Sequence, residues 1–522
     1  MSGSVHRPIS WDESDQVRTL AVNVGARYVT LALELLLGLL MLPFNARHLG
    51  ASDYGLWMLA ASIVAYFPII DLGYGGALER FVAHYRARRE AQAINEISST
   101  LVIVFAGMGL VALAIIAGIA WNLGSLFDLD PQRAWTGGLL MMFVAVQFAF
   151  GFPFGVFGAV VNGFQRTYLN SMVGIGVSLA VVMVNVAVVL AGGSLVQLVA
   201  ALTLTRMVGF LLYRVNAYRV FPLLRIRPTL FRWSRMREMA QFSVYMLVQD
   251  VSTRVNYAAD PIIIAAFVST GAVAVWTVAQ RLADVVLQLT NQFNYVLFPV
   301  VVDCDTAQRD SRLRDLLLQG TRLSLATTLP IAGSLIVLAE PVIIGWTGSE
   351  FRASIPVLQL LTLVVLVRVG SATASTVLQG AGHLRLLSYS NFVAAAVNVA
   401  LSVVLIRTHG LPGVAVATLL PALVRACAVL IPVACKRVGL SLSAFVGFAV
   451  WPAAWPAVVA LACLIAMRQT ASLSFGHAVL HGAGTGVLYW TVFIGFAISR
   501  EDRNRYLGKL RSLTRAPALE AA

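Results

Sequence analysis

Charged and amide side chains recur at helical spacing inside stretches that are otherwise apolar. Thr277, Arg281, Asp284, Gln288, Asn291 and Tyr295 follow one another every three or four residues, which puts them on one face of a helix. Ser243, Asp250, Arg254 and Tyr257 make a second row, ending near Asp260 and Pro261. Asn23, Arg27, Thr30 and Glu34 make a third, and Arg368, Ser371, Ser375 and Gln379 a fourth. A guanidinium stays charged and donates through a planar fork, which suits a diphosphate. Hydroxyls and amides both donate and accept, which suits sugars. Arg27, Arg254, Arg281 and Arg368 are therefore the candidate diphosphate ligands. Glu34, Asp250, Asp284, Gln288, Asn291, Ser371 and Ser375 are the polar or coupling groups beside them.

Each row has a blander reading. Arg254 follows Asp250 by four residues and Arg281 precedes Asp284 by three, so each pair could neutralise itself within its own helix and bind helices together. Arg27 lies near the inner end of its span and could extend to the membrane surface. Arg206 and Arg425 also lie near helix ends and read as anchors. Arg368 has no acid within its own helix, which gives it the strongest individual case.

The elements that carry these rows are membrane spans. Of 522 residues 59% are hydrophobic and only 12% charged, where a soluble chain carries about 25% charged residues, and the mean hydropathy is +0.81. Apolar runs of about 20 residues, the length of a spanning helix, recur between short polar breaks. A bilayer satisfies no backbone hydrogen bonds, and runs without two-residue alternation can meet that demand only as helices. The expected fold is an all-α polytopic membrane protein of about 14 spans, near 20–44, 54–78, 97–121, 134–160, 168–191, 195–214, 238–267, 272–301, 321–345, 353–380, 386–406, 411–435, 445–467 and 475–498.

The loops orient these spans. Of the 38 Lys and Arg residues, most fall in the termini and alternate loops, whereas the intervening loops hold only Arg47, Arg133, Arg352, Arg407 and Arg468. The positive-inside rule then places both termini in the cytoplasm. The most basic loop, with seven arginines between Arg214 and Arg237, reads as a hinge between halves. Gly55-Leu56-Trp57 aligns with Ala274-Val275-Trp276, Arg206 with Arg425, and Asn162-Gly163 with Gln379-Gly380, which points to a duplication. Each half has an even number of spans, so the halves are parallel, related by an axis along the membrane normal. The expected organisation is a cytoplasmic segment (1–19), an N-lobe (20–214), a basic interlobe loop (215–237), a C-lobe (238–437), an appended pair (438–498) and a basic tail (499–522). Two six-helix lobes would enclose a central cavity.

Pro68, Pro153, Pro261, Pro330 and Pro421 lie within spans, as hinges or as static packing features. Gly151 and Gly155 form a small-xxx-small pair and read as a close helix contact. The four cysteines, Cys304, Cys427, Cys435 and Cys463, imply no disulfide or metal framework. No phosphate loop, GxSxG, HExxH or long hydrophilic loop occurs, so no enzyme is expected. The formal charge of +14 resides in loops without a nucleic-acid-binding pattern, which leaves nucleic acid out as a partner. The first apolar segment is too long for a cleaved signal peptide.

The stretch RHLGASDYGLWMLAASIVAYFPIIDLGYGGALERFVAHYRARRE, from Arg47 to Glu90, resembles the N-terminal hallmark of the Wzx-like oligosaccharide flippases of the polysaccharide transporter family. VLQGAGHLRLLSYSNFVAAAVNVALSVVLIRTHGLPGVAVATLL, from Val377 to Leu420, is similar to that family's span ten to twelve region. The resemblance implies the fold of the multidrug, oligosaccharidyl-lipid and polysaccharide exporters, two six-helix lobes often with two added helices. It also implies an undecaprenyl-diphosphate-linked oligosaccharide as cargo, flipped from the cytoplasmic to the periplasmic leaflet of a bacterial inner membrane for O-antigen, capsule or exopolysaccharide assembly. Arg27 and Arg281 match its expectation of cavity arginines in spans one and eight. The implied partners are lipid-linked oligosaccharide, membrane lipids and other glycan-assembly membrane proteins, with the chain acting as a monomer. No cofactor is implied, and coupling to H+ or Na+ is open. A lipid-linked peptidoglycan precursor flippase and a multidrug/cation antiporter are the alternatives on the same fold. An antiporter should favour acidic over basic cavity groups.

Overall fold

The computed structural model describes residues 16–71, 74–240, 259–470 and 474–498, and their regular structure is helical throughout. Helix α1 (Gln16–Val64) runs into a 3-10 turn (Phe67–Asp71). α2 (Tyr74–Ala87), α3 (Ala91–Trp121), the short α4 (Leu123–Phe127), α5 (Pro131–Gly163), α6 (Thr167–Leu190) and α7 (Leu195–Val220) follow. After a helical stretch at 259–267 come α8 (Thr270–Thr306), α9 (Asp310–Val337), α10 (Ala339–Thr347), α11 (Ser354–Gly380) and α12 (Leu384–Val424). α12 passes through a π-helical turn (Arg425–Leu430) into α13 (Ile431–Arg437). α14 (Leu442–Phe445) passes likewise into α15 (Trp451–Thr470), and α16 (Phe475–Val492) with the π-helical turn after it (Phe493–Ala497) closes the described chain.

The sequence explains the breaks. Gly50 interrupts α1 at φ 75° and Gly410 interrupts α12 at φ 60°, left-handed values that a residue without Cβ adopts most readily. Asp130 caps α5 by accepting from the Arg133 N–H, with Pro131 at the first helical position, where its missing N–H costs nothing. Ser194 and Gln197 close a capping box on α7. Ten described helices are long and apolar enough to cross a membrane, or eleven if α9 and α10, bent by 75° to each other, make one span. The segments Gly25–Asp71 and Leu384–Arg437 are 47 and 54 residues long, about twice the ~20 that one crossing needs, and contain the breaks at Gly50 and Gly410. The protein is a polytopic all-α membrane protein. The expected span at 238–267 lies largely outside the described residues.

The chain divides into two compact units, Met1–Thr277 and Val278–Ala522, with the boundary inside α8. In unit 1, α3 and α7 both pack on α5, and α6 joins α1 to α7. In unit 2, α11 lies between α9 and α12, while α15 and α16 add to α9. Each unit has an apolar core at a matching place in its chain. One gathers Val82, Ile94, Ile97, Val156, Val160 and Phe221, the other Val301, Leu313, Leu317, Ala374, Val377 and Leu430. The aligned glycines do the same work in both. A Cβ on Gly163 would stand 2.5 Å from Val82 Cγ1, and one on Gly380 would stand 2.5 Å from Val301 Cγ1.

The arginine-rich segment is fastened to unit 1. Asn95 on α3 donates to the Leu223 carbonyl and accepts from the Arg225 N–H, at 3.0 and 2.9 Å. Ser99 donates to the Arg225 carbonyl and accepts from the Arg227 N–H, and Thr100 accepts from the Arg232 N–H. Arg235 then pairs with Glu96 at 2.8 Å and Glu238 at 3.2 Å. The Tyr85 hydroxyl donates to Glu238 at 2.6 Å. Burial, reinforced by that hydrogen bond, pushes Tyr85 up to about 12.

Candidate functional site

Unit 2 brings together the charges that the sequence scattered over three helices. Arg281 and Asp284 sit one turn apart on α8, and Arg368 on α11 approaches closely enough that both guanidiniums act on the Asp284 carboxylate. Arg425, in the π-helical turn, lies within electrostatic range of Arg368, and its Nε donates to Ser390 Oγ at 3.3 Å. Arg368 thus has an acidic neighbour, supplied by another helix. Three guanidiniums and one carboxylate leave this group formally cationic, in segments where each charge costs about 2.5–3.5 kcal/mol at mid-membrane. Such a group can receive an anion through paired N–H donors.

The other residues of the two rows behave differently. Ser371 is buried and donates to the Val367 and Arg368 carbonyls of its own helix, at 3.0 and 3.2 Å. Gln288 and Ser375 are half-buried. Asp250 and Arg254 lie outside the described residues, as does the side chain of Asn291. The free cysteines are Cys304, Cys427, Cys435 and Cys463.

In unit 1 the row on α1 splits by role. Asn23 donates to the Gln165 carbonyl at 2.7 Å and accepts from the Tyr168 N–H at 2.9 Å, pinning α1 to the turn between α5 and α6. Thr30 donates to the Ala26 carbonyl of its own helix. Arg27 is exposed. Glu34 lines a cavity of about 260 Å³ together with Arg206, Asn45, Ser178 and Asn185. Arg206, which reads as an anchor in the sequence, thus shares a chamber with a carboxylate. Asn45 and Asn185 are 5% and 4% exposed, and the Oδ1 atom of each lacks a donor among the described residues.

A larger cavity, about 720 Å³, opens among α1, α2, α3, α5, α6 and α7 of the same unit. Its polar lining comes from Asp71, Glu79, Gln147, Asn162, Asn170 and Tyr213, and its aromatic lining from Phe105, Phe148, Phe152 and Phe210. Of the residues singled out as diphosphate ligands, none of those described, Arg27, Arg281 and Arg368, lines it. Gly151 and Gly155, expected at a close helix contact, line it too. Gly151 is pressed by the Phe210 ring, whereas a Cβ on Gly155 would meet nothing within 4 Å. That second glycine faces open space.

Residues 22–304, more than half of the chain, match the family model described as polysaccharide biosynthesis protein. The chain belongs to that family. The Wzx-like family that the segments at 47–90 and 377–420 resemble is thereby shown. Two named relatives resemble the chain at low identity over most of its length. The probable flippase AglR of Haloferax volcanii is 23% identical over 413 residues, 77% of this chain and 80% of the relative. The succinoglycan biosynthesis transport protein ExoT of Rhizobium meliloti is 22% identical over 370 residues, 70% of each chain. These relatives are named as flippases and transport proteins rather than enzymes. The fold of the chain is similar to that of a lipid II flippase MurJ in an inward closed conformation, with a TM-score of 0.70 and 14% identity over 91% of this chain and 98% of that one.

Proposed function

We propose that the protein is a flippase for undecaprenyl-diphosphate-linked oligosaccharide. It carries the lipid from the cytoplasmic to the periplasmic leaflet of a bacterial inner membrane by alternating access, with both termini cytoplasmic, and feeds O-antigen, capsule or exopolysaccharide assembly. The observation that carries this reading is the cationic group in unit 2, Arg281 and Arg368 acting on Asp284 with Arg425 in range of Arg368. A diphosphate must shed its hydration to cross a membrane, and guanidiniums replace that hydration with charge-assisted hydrogen bonds. The family and its flippase relatives supply the cargo class. Arg27 and Arg254 are secondary ligands in this scheme, and the lipid tail stays in the bilayer.

The scheme keeps the N-lobe (20–214), C-lobe (238–437) and appended pair (438–498) as working parts of a monomer. Glu34, facing a cavity beside Arg206, is the titratable group best placed for coupling to H+ or Na+. A multidrug/cation antiporter fits less well, because a cationic cluster repels cationic drugs.

The test is depletion of the protein, with lipid-linked glycan followed in each leaflet, alongside Arg281→Ala and Arg368→Ala variants that insert normally. Glycan should accumulate in the cytoplasmic leaflet on depletion, and each variant should fail to restore export. Undiminished export in depleted cells would sink the flippase reading. Export restored fully by both variants would sink the diphosphate assignment alone.

A further inference from the structure

We infer that the 720 Å³ cavity of unit 1 is a saccharide subsite, taking an uncharged hexose or N-acetylhexosamine portion of the transported lipid. This rests on the flippase reading above and adds to it a place where the sugar is recognised. The volume falls within the roughly 300–1,000 Å³ of small-molecule sites. Protein interiors are otherwise close-packed, so a space of this size bordered by polar groups offers room for a polar ligand in place of water.

The lining supplies the two surfaces that a sugar ring requires. One is aromatic. Phe152 stacks on Phe105 with ring centroids 4.5 Å apart and on Phe148 at 5.1 Å. The faces of such rings are electron-rich and match the electropositive C–H face of a pyranose. The other surface is a chain of oriented polar groups. Asn170 Nδ2 donates to Asn162 Oδ1 at 2.8 Å and to the Gly158 carbonyl at 2.9 Å, and Asn162 Nδ2 donates to Glu79 Oε2 at 3.2 Å. Those bonds consume donors and leave acceptors: Asn170 Oδ1 has no partner. Gln147 makes no hydrogen bond among the described residues, and Asp71 adds a second carboxylate. Only a ligand rich in hydroxyls meets such a surface, since each hydroxyl donates one bond and accepts others.

Charge decides which part of the cargo belongs here. The lining holds Asp71 and Glu79 and no Lys or Arg, so it repels a diphosphate and a uronic acid alike. A lipid tail fits no better, because it would strand the carboxylates and amides without hydrogen bonds. Gln147, Gly151, Gly155, Gly158 and Asn162 recur every three or four residues along α5 and so share one helix face. Of the glycines between the two amides, Gly155 leaves open space, whereas Gly151 admits the Phe210 ring.

The experiment uses the full chain in lipid nanodiscs and three probes: a short-chain prenyl diphosphate, the same lipid bearing one N-acetylhexosamine, and the same lipid bearing a hexuronic acid. Affinities are read by calorimetry. For the unaltered protein the N-acetylhexosamine probe should bind about tenfold more tightly than the bare lipid, and the uronic acid probe no more tightly. Gly155→Leu, at a position where an added Cβ meets nothing within 4 Å, should put bulk into the chamber, erase that gain and leave the bare lipid's affinity unchanged. Phe148→Ala and Gln147→Ala should reduce the gain, and they carry the test if the leucine variant does not insert. Equal binding of the sugar-bearing and bare probes, or a gain that survives in Gly155→Leu, would overturn the subsite while the flippase reading stands. No binding of either the bare or the sugar-bearing lipid would overturn the flippase reading and the subsite with it.

Discussion

Unit 1 and unit 2 repeat the same backbone devices and carry opposite charge inside. Arg89 and Gln308 both adopt left-handed conformations, at φ 60° and 52°, each two residues before the start of a long helix. Gln165 and Gly382, Gly192 and Gly410, and Asp128 and Gly348 repeat the pattern at nearly the same offset along the chain. An arginine fastens the end of each core, Arg235 to Glu96 in one and Arg437 to Asp305 and Asp310 in the other. The interiors share none of this. Unit 1 holds a chamber with Asp71 and Glu79, whereas unit 2 holds the Arg281, Arg368 and Arg425 group. Turns and close approaches answer to backbone geometry, which tolerates few substitutes. Lining residues answer to cargo and are free to diverge.

The largest effect should come from the charge contrast. Arg368→Ala should lower glycan export at least tenfold, because it removes a guanidinium that a diphosphate would use. Gly155→Leu in unit 1 should alter which glycan is exported more than whether export occurs. Equal loss of all glycans in both variants, measured as leaflet-resolved lipid-linked sugar, would erase the division of labour.

The next effect tests the fastening found in unit 1. Asn95→Ala should orphan the Leu223 carbonyl and the Arg225 N–H, each at about 1–3 kcal/mol when buried, and lower the melting temperature of the purified protein. Unchanged melting would show that water replaces these bonds. The repeat itself is tested by Gly163→Ala and Gly380→Ala, each of which forces a Cβ toward a valine. Both should cost about 1–3 kcal/mol, and tolerance at one site alone would break the equivalence.

Alkaline pH gives a smaller, signed effect. Below pH 10 Tyr85 is protonated whether the protein is folded or unfolded. Between about 10 and 12 the unfolded chain loses the proton while the folded one, with its Tyr85 pushed up to about 12, keeps it. Stability should therefore fall as pH rises through that window. Tyr85→Phe should flatten the fall in thermal melts, and identical slopes would remove Tyr85 from the account. The smallest effect is a gain. Gln165→Gly should stabilise unit 1 by about 1 kcal/mol, because Gln165 holds a left-handed conformation that glycine reaches without strain.

The sequence discloses most of the helices and little of the chambers. Span limits follow from hydropathy, and the expected starts at 168, 195 and 353 lie within one residue of α6, α7 and α11. The expected second span, 54–78, crosses both the 3-10 turn and the start of α2, because Tyr74-Gly75-Gly76-Ala77-Leu78 is apolar enough to continue a hydropathy run. Arg281 and Asp284 are legible as a row, since one helix carries both. The approach of Arg368 to Asp284 is not, because it depends on how α8 and α11 pack. The unit 1 chamber is hidden for the same reason. Asp71, Glu79, Asn170 and Tyr213 come from four separate segments and form no periodic row. Its one visible trace is the Gln147-to-Asn162 face of α5, where Gly151 and Gly155 suggest contact and the empty space around Gly155 corrects that.

The fastening of residues 223–232 along α3 also bears on the order of biogenesis. Asn95, Ser99 and Thr100 are made more than a hundred residues before the backbone groups that satisfy them. During synthesis they remain hydrated until the arginine-rich segment leaves the ribosome, so the first half stays unlatched until its last helix is in place. Once the latch closes, α3 is tied to the segment that follows α7, before the helices of the second half are translated.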